Sequence, residues 1–120
     1  VSVVEKRLPE EFEDKKISLK ALGVGGFAWK RGDLLRFLVD PQSDEFAILG
    51  GDVLECNEGG ELSYTYDSWS APERPRTEAF PSFCRRSKET ALRYIQDYPP
   101  DDHVLFAPVI SAAVTSGWES

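Results

Sequence analysis

The sequence predicts an α+β fold, a mixed and mainly antiparallel sheet with one long helix and shorter helices packed on it. Three observations carry this. A stretch from about Phe80 to Asp97 repeats its apolar residues at helical spacing. Two short strand-like segments, Val53 to Cys56 and the alternating Leu62 to Tyr66, flank Asn57-Glu58-Gly59-Gly60 as the arms of a hairpin would. A short apolar run, Phe46-Ala47-Ile48-Leu49, is bounded by Gly50-Gly51, as a strand covered on both faces would be.

Taken in order, Leu8-Pro9-Glu10-Glu11-Phe12 reads as a first helical turn. Proline suits the first helical position, and carboxylates suit the positive end of the helix dipole. Leu8 and Phe12 then share a face. Ser18 caps a short turn through Leu19 and Leu22, and Gly23 offers a left-handed stop. Phe27-Ala28-Trp29 is a brief extended stretch. A helix follows over Arg31 to Asp40, with Leu34, Leu35 and Leu38 facing inward, and Pro41 ends it because the residue before proline avoids helical angles.

The run Phe46 to Leu49 should be a central strand. Val53 to Cys56 and Leu62 to Tyr66 form the hairpin, its two glycines supplying positive φ. Along the second arm Leu62, Tyr64 and Tyr66 point one way and Glu61, Ser63, Thr65 and Asp67 the other. From Ser68 to Arg76 the density of Ser, Pro, Glu and Arg predicts an exposed loop long enough to serve a function. In the long helix Pro81 occupies the first turn, and Phe80, Phe83, Cys84, Ser87, Ala91, Ile95 and Tyr98 form a buried stripe. Arg85, Arg86, Lys88, Glu89 and Arg93 lie mostly outside it. Tyr98-Pro99-Pro100 stops the helix. Val104 to Ile110 reads as a last strand, with Pro108 marking an edge or a bulge.

The chain has 120 residues, 41% of them hydrophobic, which is enough for a single core and predicts one domain over residues 1–120. It starts at Val1 and holds no Met, which suits either removal of an initiator Met or a fragment of a longer chain. The 14 basic and 21 acidic residues give a net charge of −7, which on average repels a nucleic-acid backbone and favours a basic protein partner. Cys56 and Cys84 are too few to staple the domain and are expected to be reduced thiols. No apolar run reaches the roughly 20 residues of a membrane helix, so the cytoplasm is the expected location.

Catalytic and metal chemistry find little to work with. Nucleophilic catalysis by Ser or Cys usually needs a His base, and the one histidine, His103, stands in an Asp-Asp-His turn. Two isolated Cys and that His offer none of the close ligand pairs of zinc sites, so no metal and no cofactor is expected. Gly23-Val24-Gly25-Gly26 lacks the adjacent Lys and Ser or Thr of a phosphate loop.

The feature that suits binding is Glu61-Leu62-Ser63-Tyr64-Thr65-Tyr66-Asp67-Ser68-Trp69, aromatic and acidic residues running from a strand into a polar loop. Tyr64 and Tyr66 could equally be core, with Trp69 folded back to cap it.

The segment Ile48-Leu49-Gly50-Gly51-Asp52-Val53, the hairpin end Tyr66-Asp67-Ser68-Trp69, and Arg86-Ser87 through Ala91 to Tyr94-Ile95 resemble, in this order, the fortieth family of immunity proteins of bacterial polymorphic toxin systems. The resemblance spans about Ile17 to Ile110. It implies a non-enzymatic α+β protein that blocks a cognate toxin by stoichiometric occlusion; a basic nuclease is one toxin class that the charge would suit. The contact patch expected on physical grounds comprises Asp52, Glu55, Glu61, Tyr66, Asp67, Trp69 and Glu73. A regulatory or adaptor domain using the same loop, and a carboxylate-based hydrolase, are the competing readings. A monomer and a homodimer, the latter through an edge strand near Val104 to Ile110, are both open.

Overall fold

The long helix forms over Phe80–Asp97 as its spacing predicts. The computed structural model describes residues 7–112 in full, with the backbone of Val4–Glu5 and Val114–Thr115. In chain order the elements are β1 (Val4–Glu5), α1 (Glu10–Glu13), β2 (Ile17–Ser18), a 3-10 turn (Lys20–Leu22), β3 (Phe27–Lys30), α2 (Arg31–Val39), a second 3-10 turn (Pro41–Ser43), β4 (Phe46–Cys56), β5 (Leu62–Ser70), α3 (Phe80–Asp97), β6 (Val104–Ala112) and β7 (Val114–Thr115). The fold is α+β. Five strands form one sheet in the order β2-β3-β6-β4-β5, with every described pairing antiparallel, and β1 pairs with β7 beside it.

Local chemistry explains most boundaries. Pro9 stands just ahead of α1, and Phe12 is buried. The Ser18 hydroxyl accepts from the Lys20 amide at 3.2 Å, and Gly23 closes that turn at φ 75°. α2 ends where Pro41 forces Asp40 into an extended conformation. Phe37, unremarked in the sequence, is buried beside Leu34 and Leu38. It stacks on Phe12 at 4.1 Å, which stacks in turn on Trp29 at 4.2 Å. The Trp29 indole N–H donates to the Phe12 carbonyl at 2.8 Å, so the polar edge of this ring is satisfied inside the core.

Two strands expected separately are one. Phe46–Cys56 runs unbroken through Gly50-Gly51, because these glycines mark a close approach and not a turn. A Cβ on Gly50, at φ 147°, would stand 2.5 Å from the Trp69 carbonyl oxygen. One on Gly51 would overlap the Trp69 ring and stand 2.8 Å from the Ala107 carbonyl oxygen. A bulge between Ile48 and Gly50 absorbs the distortion. The hairpin through 57–60 forms, with positive φ at Gly60 but not, as expected, at Gly59 as well, and its second arm continues to Ser70, so the predicted loop moves along the chain to residues 71–79.

β6 is not an edge strand. It lies between β3 and β4, with Leu105 and Phe106 paired on both sides. A dimer through an edge at Val104 to Ile110, one of the two states left open by the sequence, therefore lacks that edge at Leu105-Phe106. From Ala107 onward β3 no longer accompanies it among the described residues, and there Pro108 has no N–H to offer a further strand.

The helices cover one side of the sheet. Val53, Trp69, Val104 and Phe106 meet Ala91 and Ile95 of α3 together with Leu34 and Leu38 of α2. The start of β4, beyond the end of β5, is met by α3: the Ser87 hydroxyl accepts from the Ile48 amide at 3.0 Å and donates to the Cys84 carbonyl at 3.0 Å. Lys88, expected outside the buried stripe, lies within it. Its ammonium donates to Ser43 at 3.0 Å and to Asp44 at 2.9 Å, so the charge reaches a carboxylate at the rim while its alkyl stem stays inside. Among the described residues no helix is long and apolar enough to cross a membrane.

Candidate functional site

β5 leaves its regular ladder halfway along. Asp52 pairs with Ser68 and Leu54 with Tyr64, so the single residue Val53 faces three residues, Thr65, Tyr66 and Asp67. The excess chain forms a wide bulge. Thr65 pins it: its hydroxyl donates to the Val53 carbonyl at 2.9 Å and accepts from the Asp67 amide at 3.1 Å. Tyr66 is left at the apex with φ 70° and 91% of its surface exposed. A side chain with a Cβ held in this left-handed region costs about 1–2 kcal/mol. The Tyr64 ring stands beside it, with centroids 6.3 Å apart.

The bulge is anchored to the long helix from below. Asp67 accepts from the Tyr98 hydroxyl at 2.7 Å, and this hydrogen bond, helped by burial, pushes the Tyr98 phenol above its ordinary value. Burial, and then the Asp67 charge, do the same to Tyr94. Trp69 packs under the bulge, stacked on Tyr94 at 5.1 Å and edge-on to Phe106 at 6.4 Å. Its indole N–H finds no partner among the described residues.

Arg31 fixes the helix end that carries Tyr98. Its guanidinium donates to the carbonyls of Ile95 at 3.0 Å, Tyr98 at 2.6 Å and Pro99 at 2.6 Å, placing a cation at the negative pole of α3. It also lies against the Phe106 ring at 5.6 Å.

The seven residues expected to form a contact patch do not share one surface. Tyr66 and Asp67 sit on the bulge and Trp69 is buried beneath it. Asp52, in register with Ser68, is exposed on the side of the sheet away from α3. Glu55, three residues further along β4, points to the opposite side and lines a shallow hollow with Ser63, Asp101 and His103. Glu61 sits at the hairpin turn, where its amide donates to the Asn57 side-chain oxygen at 2.9 Å. Glu73 lies past the other end of β5, roughly 30 Å of strand away. Tyr98 and Arg31 were absent from the expected site. Tyr98 was visible only as a member of the helix stripe, and nothing in the sequence marked Arg31 as a cap on another helix.

The loop 71–79 is tied to the start of α3. Arg86 grips the Glu78 carboxylate with two hydrogen bonds, at 2.7 and 2.6 Å, and reaches the Glu73 carbonyl at 3.0 Å. That fork, with a further bond from Ser82, lowers the Glu78 carboxyl to about 2. Its anchored end limits the freedom of a segment that the sequence presented as an exposed loop long enough to serve a function. His103 lies in an exposed turn, and among the described residues no group of three or more His, Cys, Asp or Glu could hold a metal ion.

A family model described as Immunity protein 40 matches residues 18–110, more than three quarters of the chain and inclusive of the bulge, its anchors on α3 and most of the sheet. No curated protein and no solved structure matches it.

Proposed function

The chain belongs to the immunity protein 40 family, and from that membership we propose that it binds a cognate bacterial toxin domain and neutralises it by stoichiometric occlusion, without chemistry of its own. The observation that best supports the reading is Tyr66. A tyrosine displayed almost fully to solvent, in a backbone conformation that costs energy, gains nothing for the fold. Strained exposed residues of this kind cluster at sites of ligand contact, where the surrounding structure holds them ready. A pre-set aromatic side chain gives large contact area with little further entropy to lose on binding, which is the property of interface hot spots.

In this proposal Tyr66 and Asp67 form the centre of the contact, Asp52 flanks it, and Trp69 holds the bulge from below. Glu55, Glu61 and Glu73 are outlying carboxylates whose contribution is to the field. With a net charge of −7 the protein would steer a basic toxin, a nuclease domain among the candidates, towards this surface, and the effect would weaken with added salt. The place of action in this reading is the cytoplasm of the toxin-producing cell.

Co-expression with the toxin domain encoded beside its gene tests the proposal. The wild-type chain should rescue growth and copurify with the toxin. A Tyr66→Gly chain of equal abundance should rescue poorly. Death of cells carrying the wild-type chain with an active toxin would reject the reading.

A further inference from the structure

The two sides of the sheet are covered unequally. Where α2 and α3 close one side, the other is covered over part of its extent by Leu19 and Leu22, which pack on Ala28, Leu54 and Leu105. Register shows what remains open. Asp52 pairs with both Ser68 and Ala107, and Gly50 with both Ser70 and Val109, so these positions point the same way as Leu54 and Tyr64. Tyr64 is 38% exposed, Val109 54% and Tyr66, beside Tyr64, 91%. Asp52 is exposed among them and has no hydrogen-bonding or ionic partner for its side chain among the described residues. Lys30, in register with Leu105, stands on the same side but two strands away, roughly 10 Å by strand spacing. Lys20 sits on the turn that covers the other part.

A lone carboxylate between Ser68 and Ala107, with Tyr64 and its neighbour Tyr66 two register positions to one side and Val109 two to the other, suits one kind of visitor. A guanidinium can place its planar fork on a carboxylate while its face lies on an aromatic ring; an ammonium offers only a point charge. The surplus of acidic residues favours the same sign of partner. We propose that this open part of the sheet receives an arginine-bearing segment of the toxin, with the guanidinium paired to Asp52 and lying against Tyr64 and Tyr66, and Val109 in contact with the aliphatic part of the segment. The inference rests on the immunity reading and adds to it the chemistry of the partner's anchor.

The experiment measures the dissociation constant of the purified toxin domain encoded beside the gene for three chains: wild type, Asp52→Asn and Glu89→Gln. Glu89 is an exposed carboxylate on α3, on the helix-covered side, and its change alters the net charge by the same amount. Asp52→Asn should weaken binding by roughly 10- to 100-fold, as removal of one partner of a desolvated charge pair does, and Glu89→Gln by less than about 3-fold. Thermal midpoints should be equal, since neither carboxylate supports the fold. Equal affinity for Asp52→Asn and wild type, or equal losses in both variants, would overturn the arginine site while leaving the immunity reading in place. Absence of any complex with the wild-type chain would overturn that reading and this inference with it.

Discussion

The hydroxyl of Tyr98, the residue that ends the long helix, donates to the carboxylate of Asp67 at 2.7 Å and so ties α3 to the bulge of β5. The helix end is itself held by Arg31. Tyr98→Phe removes the hydroxyl and little else, and should cost about 1 kcal/mol, the usual net worth of one hydrogen bond. Because the folded-state value of the Tyr98 phenol is raised, its contribution is complete below the ordinary tyrosine value of about 10 and is lost as pH rises through the folded value. Urea midpoints of wild type and Tyr98→Phe, followed from pH 8 to 11, should therefore differ by a constant amount at first and converge at the alkaline end.

Tyr66→Gly separates binding from stability. Glycine relieves the left-handed strain at φ 70° but adds freedom to the unfolded chain, so stability should stay within about 1 kcal/mol of wild type. Loss of the ring should weaken toxin binding by about 10-fold or more. Calorimetry for the first and a binding isotherm for the second check both signs. A large fall in melting temperature would show that the ring belongs to the fold.

Trp69→Ala should behave in the opposite way. The indole is buried against Tyr94, Phe106 and the Gly51 backbone, so truncation should cost about 3–5 kcal/mol. Measured on the chain that remains folded, affinity should fall less than for Tyr66→Gly, because Trp69 acts through the backbone it supports. Denaturant unfolding monitored by far-UV circular dichroism gives the first quantity.

Ser87→Ala leaves the buried Ile48 amide without an acceptor where α3 meets the start of β4. An orphaned buried donor costs about 1–3 kcal/mol. Hydrogen exchange at Ile48 should accelerate more than exchange at the hairpin, and uniform acceleration would mean that the loss is global.

Glu78 sets an acid limit. Its carboxyl is lowered to about 2, first by the Arg86 hydrogen bonds, against an unfolded value of about 4.3. A depressed carboxylate contributes stability above the unfolded value and loses it as pH falls through the folded one, here between about pH 4.5 and 2. Thermal melts over that window should show a steeper decline for wild type than for Glu78→Gln, which has no such proton to take up.

The long helix and the hairpin were legible because each depends on a local code: an apolar stripe at helical spacing, and paired glycines between two short strand-like segments. Gly50-Gly51 misled because a pair of glycines has the same signature whether it ends a strand or admits an indole from the neighbouring one; only the position of Trp69 decides. Lys88 carried an ordinary surface signature, and its burial follows from Ser43 and Asp44 lying 45 and 44 residues away in sequence. Of the proposed binding segment, sequence located the stretch from Tyr64 to Trp69 but placed Tyr64 and Tyr66 by simple alternation. The bulge keeps that alternation but lifts Tyr66 off the ladder through Thr65 and Val53, a contact between strands that no single-strand pattern contains. The scatter of Glu55, Glu61 and Glu73 away from the bulge likewise became visible only with the strand register.

The occlusion reading is tested most directly by a titration of the purified toxin domain with this chain, following toxin activity and the heat of binding together. Occlusion requires saturation at one chain per toxin, with activity abolished at equivalence. No heat and undiminished activity at a large excess of the chain would contradict it.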